Sequence, residues 1–423
     1  MVKQSAIILL SAFFATTINA QITQIKEYAK TLCSESFHGR GYVNSGDSIA
    51  ASYIQSSFQK NGIAAINGNY LQSFFLNVNT FPGKMEVNHN GRTLKPGVHF
   101  LVYPSSGGSE TNLVPKKIST VELLNNKTLL SITESLSNDS VYNSIILDFT
   151  KVSADTIKLL QPIAEQLCVS FPVIEITNKK FTWSVSSSDF NHPYIQLQDS
   201  VFNENSDFQI VIDSKLIKKH KANNVIGYVP AKKKSDEFIV FTAHYDHLGQ
   251  MGDSTYFPGA NDNASGTALL MEMANKIKQK PLKINAVFIA FAGEEAGLIG
   301  SNYFVNNPSI DLKKVRFLIN TDIMGSGEDG VTVVNATLYD KEFQILKSIN
   351  LKKSYLKEIK SRGPAANSDH YWFTQKGVPS FFLYTMGPNK NYHDVFDTYE
   401  NLSFSATENV FNLLYDFSRR ISK

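Results

Sequence analysis

Cysteine is almost missing from this 423-residue chain. Its only two, Cys33 and Cys168, cannot build a thiolate zinc site. They form either one disulfide or two buried free thiols, and the sequence alone fixes no geometry between them. Excess charge is missing too: 41 basic against 38 acidic residues gives +3, which suggests no nucleic-acid partner. The clusters Lys218-Lys219-His220-Lys221 and Lys232-Lys233-Lys234 read as solvated loop faces. Beyond the first twenty residues no run approaches eighteen uninterrupted apolar residues, so no stable membrane anchor is expected. Arginine is scarce, six in all, which leaves few groups for clamping carboxylates. With 42% apolar and 19% charged residues, the chain has the composition of a folded globular protein.

The first twenty residues read as an export signal. Lys3 precedes an apolar stretch over residues 6–15, and the small Ala20 offers a cleavage position before Gln21. The expected destination is the periplasm or the exterior.

Past that leader, residues 48–60 place Ile49, Tyr53, Ile54, Ser57 and Phe58 on one helical face, with Gly62 as the stop. Between residues 81 and 215 the pattern changes to short β-prone runs separated by turn signals such as Asn90-Gly91 and Ser105-Ser106-Gly107-Gly108. This stretch is expected to be an inserted, mainly β domain or lid. It divides a catalytic domain into an N-terminal part, 21–80, and a larger part, 216–423. In the latter, strands at 238–243, 285–292, 316–321, 331–334 and 379–384 alternate with helices such as 264–279, and an amphipathic helix at 406–420 closes the chain. Such alternation predicts an α/β fold with a largely parallel, mixed sheet between helices. No internal repeat is present.

The chemistry-bearing residues fall at one place in that scheme. His244 follows the strand ending at 243; Glu294 and Glu295 follow the strand ending at 292; Asp322 follows the strand ending at 321; His393 lies in the loop after the strand ending at 384. Asp262 sits in Gly259-Ala-Asn-Asp-Asn-Ala-Ser-Gly266, the small-residue loop before the 264–279 helix. In open α/β sheets, ligands gather beyond the carboxyl ends of the strands, so these positions share one rim. Imidazole and carboxylate are the ligands of hydrolytic zinc sites. Two ions roughly 3.5–4 Å apart can share a carboxylate, and Asp262, short and on a tight loop, is the natural bridge. His244 and Asp322 would complete one ion, Glu295 and His393 the other. Asp246 is placed to orient His244, and Glu294, diverging from Glu295, is left to handle a proton.

These residues resemble the zinc aminopeptidase family that includes secreted bacterial leucyl aminopeptidases, glutamate carboxypeptidase and glutaminyl cyclases. The matching pieces are His38-Gly-Arg-Gly41, His244-Tyr-Asp-His247, the 259–266 loop, Gly293-Glu-Glu295, Asn320-Thr-Asp-Ile-Met-Gly325, Ser368-Asp-His370 and Tyr392-His-Asp-Val-Phe-Asp-Thr398. The resemblance covers about 31–79 and 223–413, and the insert lies where relatives carry a protease-associated domain. It implies a zinc exopeptidase fold and two zinc ions, one on His244, Asp262 and Asp322 and one on Asp262, Glu295 and His393. It also implies Glu294 as general base, Asp246 as the carboxylate behind the histidine, and a cis bond between Asp262 and Asn263. The implied reaction is release of N-terminal residues from peptides with free amines: a hydroxide bridging the metals attacks, and Glu294 passes the proton to the leaving amine.

Supporting roles are assigned more plainly. His247 is read as a structural or supporting histidine. Ser368-Asp369-His370 is read as either pocket motif or turn, Asp394 and Asp397 as caps of the next element in preference to supports of His393, and Tyr256, Phe257, Trp372 and Tyr392 as pocket lining or packing. The sequons at Asn126, Asn138 and Asn263 are discounted, because a glycan on the last would block the metal loop. Cyclase relatives depart just after the bridging aspartate and favour tryptophan before the last histidine; Asn263 and Tyr392 stand there, so a cyclase is the weaker alternative. A carboxypeptidase for acidic termini lacks arginines, with Arg362 alone near a motif. A non-catalytic binding ectodomain is weaker still, because all five ligand candidates and the base are present.

Overall fold

A computed structural model describes residues 21–204 and 206–423; the expected export signal lies outside the described residues. The centre is a nine-stranded mixed sheet in the order Ala64–Ala65, Lys215–Val229, Asn285–Phe291, Phe238–His244, Val315–Thr321, Ser380–Met386, Gly330–Val334, Ile359–Ser361, with Leu71–Thr80 also paired along Lys215–Val229. The four middle strands, from Asn285–Phe291 to Ser380–Met386, run parallel, while Lys215–Val229 and Gly330–Val334 join them antiparallel. The middle strands read as continuous apolar runs because helices cover both faces. Along Asn285–Phe291 the side chains alternate. Ala286, Phe288 and Ala290 join the core shared with helices Gly46–Lys60, Gly266–Gln279 and Thr407–Ile421. Val287, Ile289 and Phe291 face Phe304 and Phe373 on helices Ile299–Asn306 and His370–Gln375. Each buried Phe of this kind contributes about 1.5–3 kcal/mol, and a one-residue slip would swap every face. That pins the register, and the register aims the strand ends. Among the described residues no helix is long and apolar enough to cross a membrane.

Several expectations need correction. Helix Gly46–Lys60 buries Ala50, Ile54 and Phe58, a strict i, i+4, i+8 row; Ile49 lies one position off that row and is 36% exposed. The segment at 81–215 joins helices to its strands. It carries an antiparallel four-stranded sheet (Arg92–Thr93, Met85–His89, Phe208–Ile212, Ser109–Leu113) and a second sheet of five strands. In the latter, Pro115–Ile118, Ser144–Asp148, Val173–Thr177 and Tyr194–Gln198 run parallel. Parallel strands need crossovers, and helix Ala154–Leu167 is one, burying Leu160, Ala164 and Leu167 against Ile145, Leu147 and Val173. Lys218-Lys219-His220-Lys221 belongs to strand Lys215–Val229 rather than to a loop. Cross-strand pairing with Leu71–Thr80 satisfies its backbone, and a register shift between Ile217 and His220 hides the alternation. Cys33 and Cys168 are free, buried thiols.

Candidate metal centre

Five parallel-strand ends and loops deliver the polar residues to one rim. His244 is the last residue of Phe238–His244, and Asp322 follows Val315–Thr321 by one position. His244 Nδ1 lies 3.2 Å from the Asp246 carbonyl oxygen, an acceptor, so that nitrogen carries the proton and Nε2 is free to coordinate. Nε2 faces Asp262 Oδ1 at 3.2 Å and Asp322 Oδ1 at 3.3 Å. On the other side His393 Nε2 faces Asp262 Oδ2 at 3.0 Å and Glu295 Oε2 at 3.1 Å. Each oxygen of Asp262 therefore addresses a different imidazole. The ligand atoms of His244, Asp262 and Asp322 lie within 4.8 Å of one another, as do those of His247, Asp262 and Glu295.

The 259–266 loop is locked from several directions. The Asp262–Asn263 peptide is cis, and the chain makes a single π turn, Ala260–Ser265, before the helix starts at Gly266. Asn263 Oδ1 accepts from Gly266 N and Ile323 N, and its amide donates to the Thr321 carbonyl. Asn261 Oδ1 accepts from Gly325 N, and Ser265 Oγ from Met324 N. The 259–266 loop and the Asp322 loop are thus one hydrogen-bonded unit. Asn263 is fully buried, which removes its sequon from consideration.

Two supporting residues carry more than the sequence reading gave them. Asp397 is not a cap: its two oxygens accept from the amides of Asn261 and Asp262 at 2.9 and 3.0 Å. Burial pushes its carboxyl up to about 7. Arg40, of the His38-Gly-Arg-Gly41 piece, is wholly buried and donates to the carbonyls of Leu32, Tyr245, Pro258, Gly259 and Asp262. Gly39 and Gly41 permit this approach; a Cβ on either would stand 2.4 or 2.3 Å from backbone atoms of Gly249. The motif spacing pointed to this region but not to the carbonyls it binds.

Asp246 departs from its expected role. Its carboxylate is 3.8 Å from His244 Nδ1, and the shorter contact to that ring is made by its backbone carbonyl. The carboxylate instead accepts from Glu294 N and Glu295 N at 3.2 and 3.3 Å. It therefore fixes the Glu-Glu turn, whose side chains diverge: Glu295 reaches His393 and His247, and Glu294 Oε2 lies 4.0 Å from His244 Nε2. His247 donates from Nδ1 to Glu295 Oε1 at 2.8 Å, the supporting position expected of it. Ser368 Oγ donates to Asp322 Oδ2 at 3.0 Å and accepts from Asn320, so Ser368 belongs to the site rather than to a simple turn. Of the four aromatics, Phe257 and Trp372 are packing, the first stacked on Trp183 and the second against the core with Phe304 and Phe373; the Tyr256 hydroxyl donates to Glu35; Tyr392 stacks on His393 with centroids 3.9 Å apart. A cleft of about 380 Å³ lined by Asn261, Ile323, Tyr384 and Met386 opens next to Asp262 and Asp322 in the chain.

The protein groups alone make an electrostatically crowded site. Burial, and after it the charges of Glu295, Asp369 and Asp322, push the Glu294 carboxyl well above its ordinary value against the pull of His244. Burial opposes a charged His393, yet Glu295 and Asp262 raise its pKa to about 11. Asp322 Oδ1 and His247 Nε2 are buried without any hydrogen-bond partner. Buried carboxylate oxygens without donors are costly unless a cation meets them. The donor set and the orphaned Asp322 oxygen fit divalent metal.

Residues 224–418 match the sequence model of Peptidase family M28. Aminopeptidase YwaD of Bacillus subtilis is 29% identical over 191 residues, 43% of this chain and 41% of that protein. A probable leucine aminopeptidase of Trichophyton verrucosum is 31% identical over 207 residues, 45% of this chain and 54% of that protein. The chain thus spans about half the length of these relatives. The crystal structure of BSAP, a zinc aminopeptidase from Bacillus subtilis, superposes with a TM-score of 0.69 at 19% identity, covering 95% of both chains; the α/β fold is shared end to end.

Proposed function

From a site-bearing half that matches Peptidase family M28, we propose that this chain is a zinc-dependent aminopeptidase with two metal positions, acting on peptides with free N-termini. The observation that carries the reading is the division of Asp262, Oδ1 toward His244 and Oδ2 toward His393. His244 and Asp322 would hold one ion, Glu295 and His393 the other, with Asp262 between. Zinc bound there would polarise a scissile carbonyl and lower the pKa of water. The chain's own groups do the rest. Glu294 Oε2 stands on the His244 side of the site, where it can take a proton from the attacking water and return it to the leaving amine. Asp246 contributes by holding the backbone amides of Glu294 and Glu295. The leader pattern in residues 1–20 supports export.

The test is a panel of aminoacyl fluorogenic substrates together with Gln-initiated peptides, with and without chelator. The expected result is chelator-sensitive release of N-terminal residues and no pyroglutamate. Glu294→Gln should lower kcat by about 10²–10⁴-fold while zinc content is unchanged. Cyclisation without hydrolysis would assign the chain to the cyclase reading, and activity indifferent to chelator and to Glu294→Gln would remove the metallopeptidase reading.

A further inference from the structure

Between strands Val173–Thr177 and Tyr194–Gln198 the chain leaves the five-stranded sheet, runs across to the His393 loop and returns. Four contacts join the two. The Trp183 amide donates to the His393 carbonyl at 2.8 Å. The Trp183 carbonyl lies 2.9 Å from His393 Nδ1, which as donor must hold the ring proton, turning Nε2 to Asp262 and Glu295. Lys180 Nζ pairs with Asp394 Oδ2 and donates to the Lys390 carbonyl, both at 2.5 Å. The excursion is itself anchored on either side. The Trp183 indole donates to the Val102 carbonyl, its ring stacks on Phe257, and the Ser186 carbonyl accepts from Asn79 N. His393 stands at φ 53, a backbone region that side chains seldom adopt. His244, by contrast, takes its orienting carbonyl from two residues along its own loop.

We propose that residues 180–183 are a positioning strap which sets the imidazole of His393 and thereby the affinity of one metal position, leaving the His244–Asp322 position unaffected. The inference rests on the two-metal reading above. The carbonyl or carboxylate behind a metal-binding histidine typically changes affinity by about 10–100-fold. In this chain that partner is contributed by the 81–215 segment, which couples the docking of that segment to the filling of one ion.

The experiment is a competitive zinc titration against a chromophoric chelator on the full chain. Lys180→Ala is the main variant, because the Lys180 side chain is 48% exposed while Asp394, at 3%, keeps its local bond from Phe396 N. The wild type should bind two ions. The variant should hold one with unchanged affinity and the other about 10–100-fold more weakly, with the melting temperature of the metal-stripped protein unchanged. Trp183→Gly should weaken the same ion further; if that chain does not fold, Lys180→Ala decides alone. Two ions of wild-type affinity in Lys180→Ala, or both weakened alike, would overturn the strap and leave the two-metal reading standing. A wild type that binds no metal would overturn both.

Discussion

Buried carboxylates occur in both the rim of the large sheet and the interior of the 81–215 segment, and they are treated in opposite ways. Glu175, in the five-stranded sheet, is 3% exposed, and both its oxygens accept: from the Tyr194 hydroxyl at 2.6 Å and from the Gln196 amide at 3.1 Å. Asp322, on the rim, is also buried, but its Oδ1 has no hydrogen-bond donor. Burial and an acidic group are common to both. What separates structure from site is whether the surrounding chain has supplied the partners. The rim has supplied partners for the backbone, through Asp397, Asn263 and Arg40, and withheld them from the atoms that face inward.

A matched pair of isosteric changes puts the comparison at risk, and the first has the larger effect. Asp322→Asn replaces one inward-facing oxygen by an amide, which would coordinate a metal differently. Hydrolysis should fall by more than about 100-fold, because even groups standing behind ligands cost about 10–100-fold. Zinc affinity should fall with it. Steady-state kinetics and metal content check this, and wild-type values for both would show that the orphaned oxygen marks nothing. Glu175→Gln should leave activity unchanged.

The second prediction concerns stability and has a sign. Burial raises the Glu175 carboxyl above its ordinary 4.5, against the pull of Tyr194 and Gln196. The native chain therefore holds this proton more tightly than the unfolded chain. Its stabilising effect is complete below pH 4.5 and is lost as pH rises from there through the folded value. Glu175→Gln keeps an uncharged group at every pH. Its stability relative to wild type should improve on going from pH 4 to pH 8 in denaturant titrations; a relative loss over that range would mean that Glu175 is held as an anion.

The fold of the large sheet was legible because its central strands are buried on both faces and so read as uninterrupted apolar runs, with the polar residues directly after them. That pattern alone sets His244, Glu294, Glu295, Asp322 and His393 on one rim. Other parts were hidden for physical reasons. Arg40 acts on five carbonyls, and carbonyls leave no trace in a sequence. Asp397 binds amides 135 and 136 residues away. Helix Ala154–Leu167 contains Pro162 and lies among turn signals, so local chemistry argued against it until packing on the parallel strands decided the matter. Strand Lys215–Val229 was masked by its lysines.

The smallest effect is expected from the cysteines, one in each region. Cys33 packs in the core of the large sheet, near the Lys30 carbonyl, and Cys168 in the core of the five-stranded sheet, 3.2 Å from the His192 carbonyl. Burial raises both thiols, Cys33 to about 11, so neither offers a thiolate near neutral pH. A bond between them would close a loop of well over a hundred residues, worth about 4.7 kcal/mol in the chain-entropy picture. No such link joins the regions, so beyond the strands paired at the ends of the 81–215 segment their association rests on contacts such as Trp183 against Phe257 and the Trp183–His393 backbone bond. A reductant should therefore shift the melting temperature by less than about 1 °C, where breaking a bond of that worth would lower it by roughly 1 °C for each kcal/mol lost in a chain of this size. A fall of several degrees would mean that a covalent link, rather than packing, holds the 81–215 segment to the sheet that carries the site.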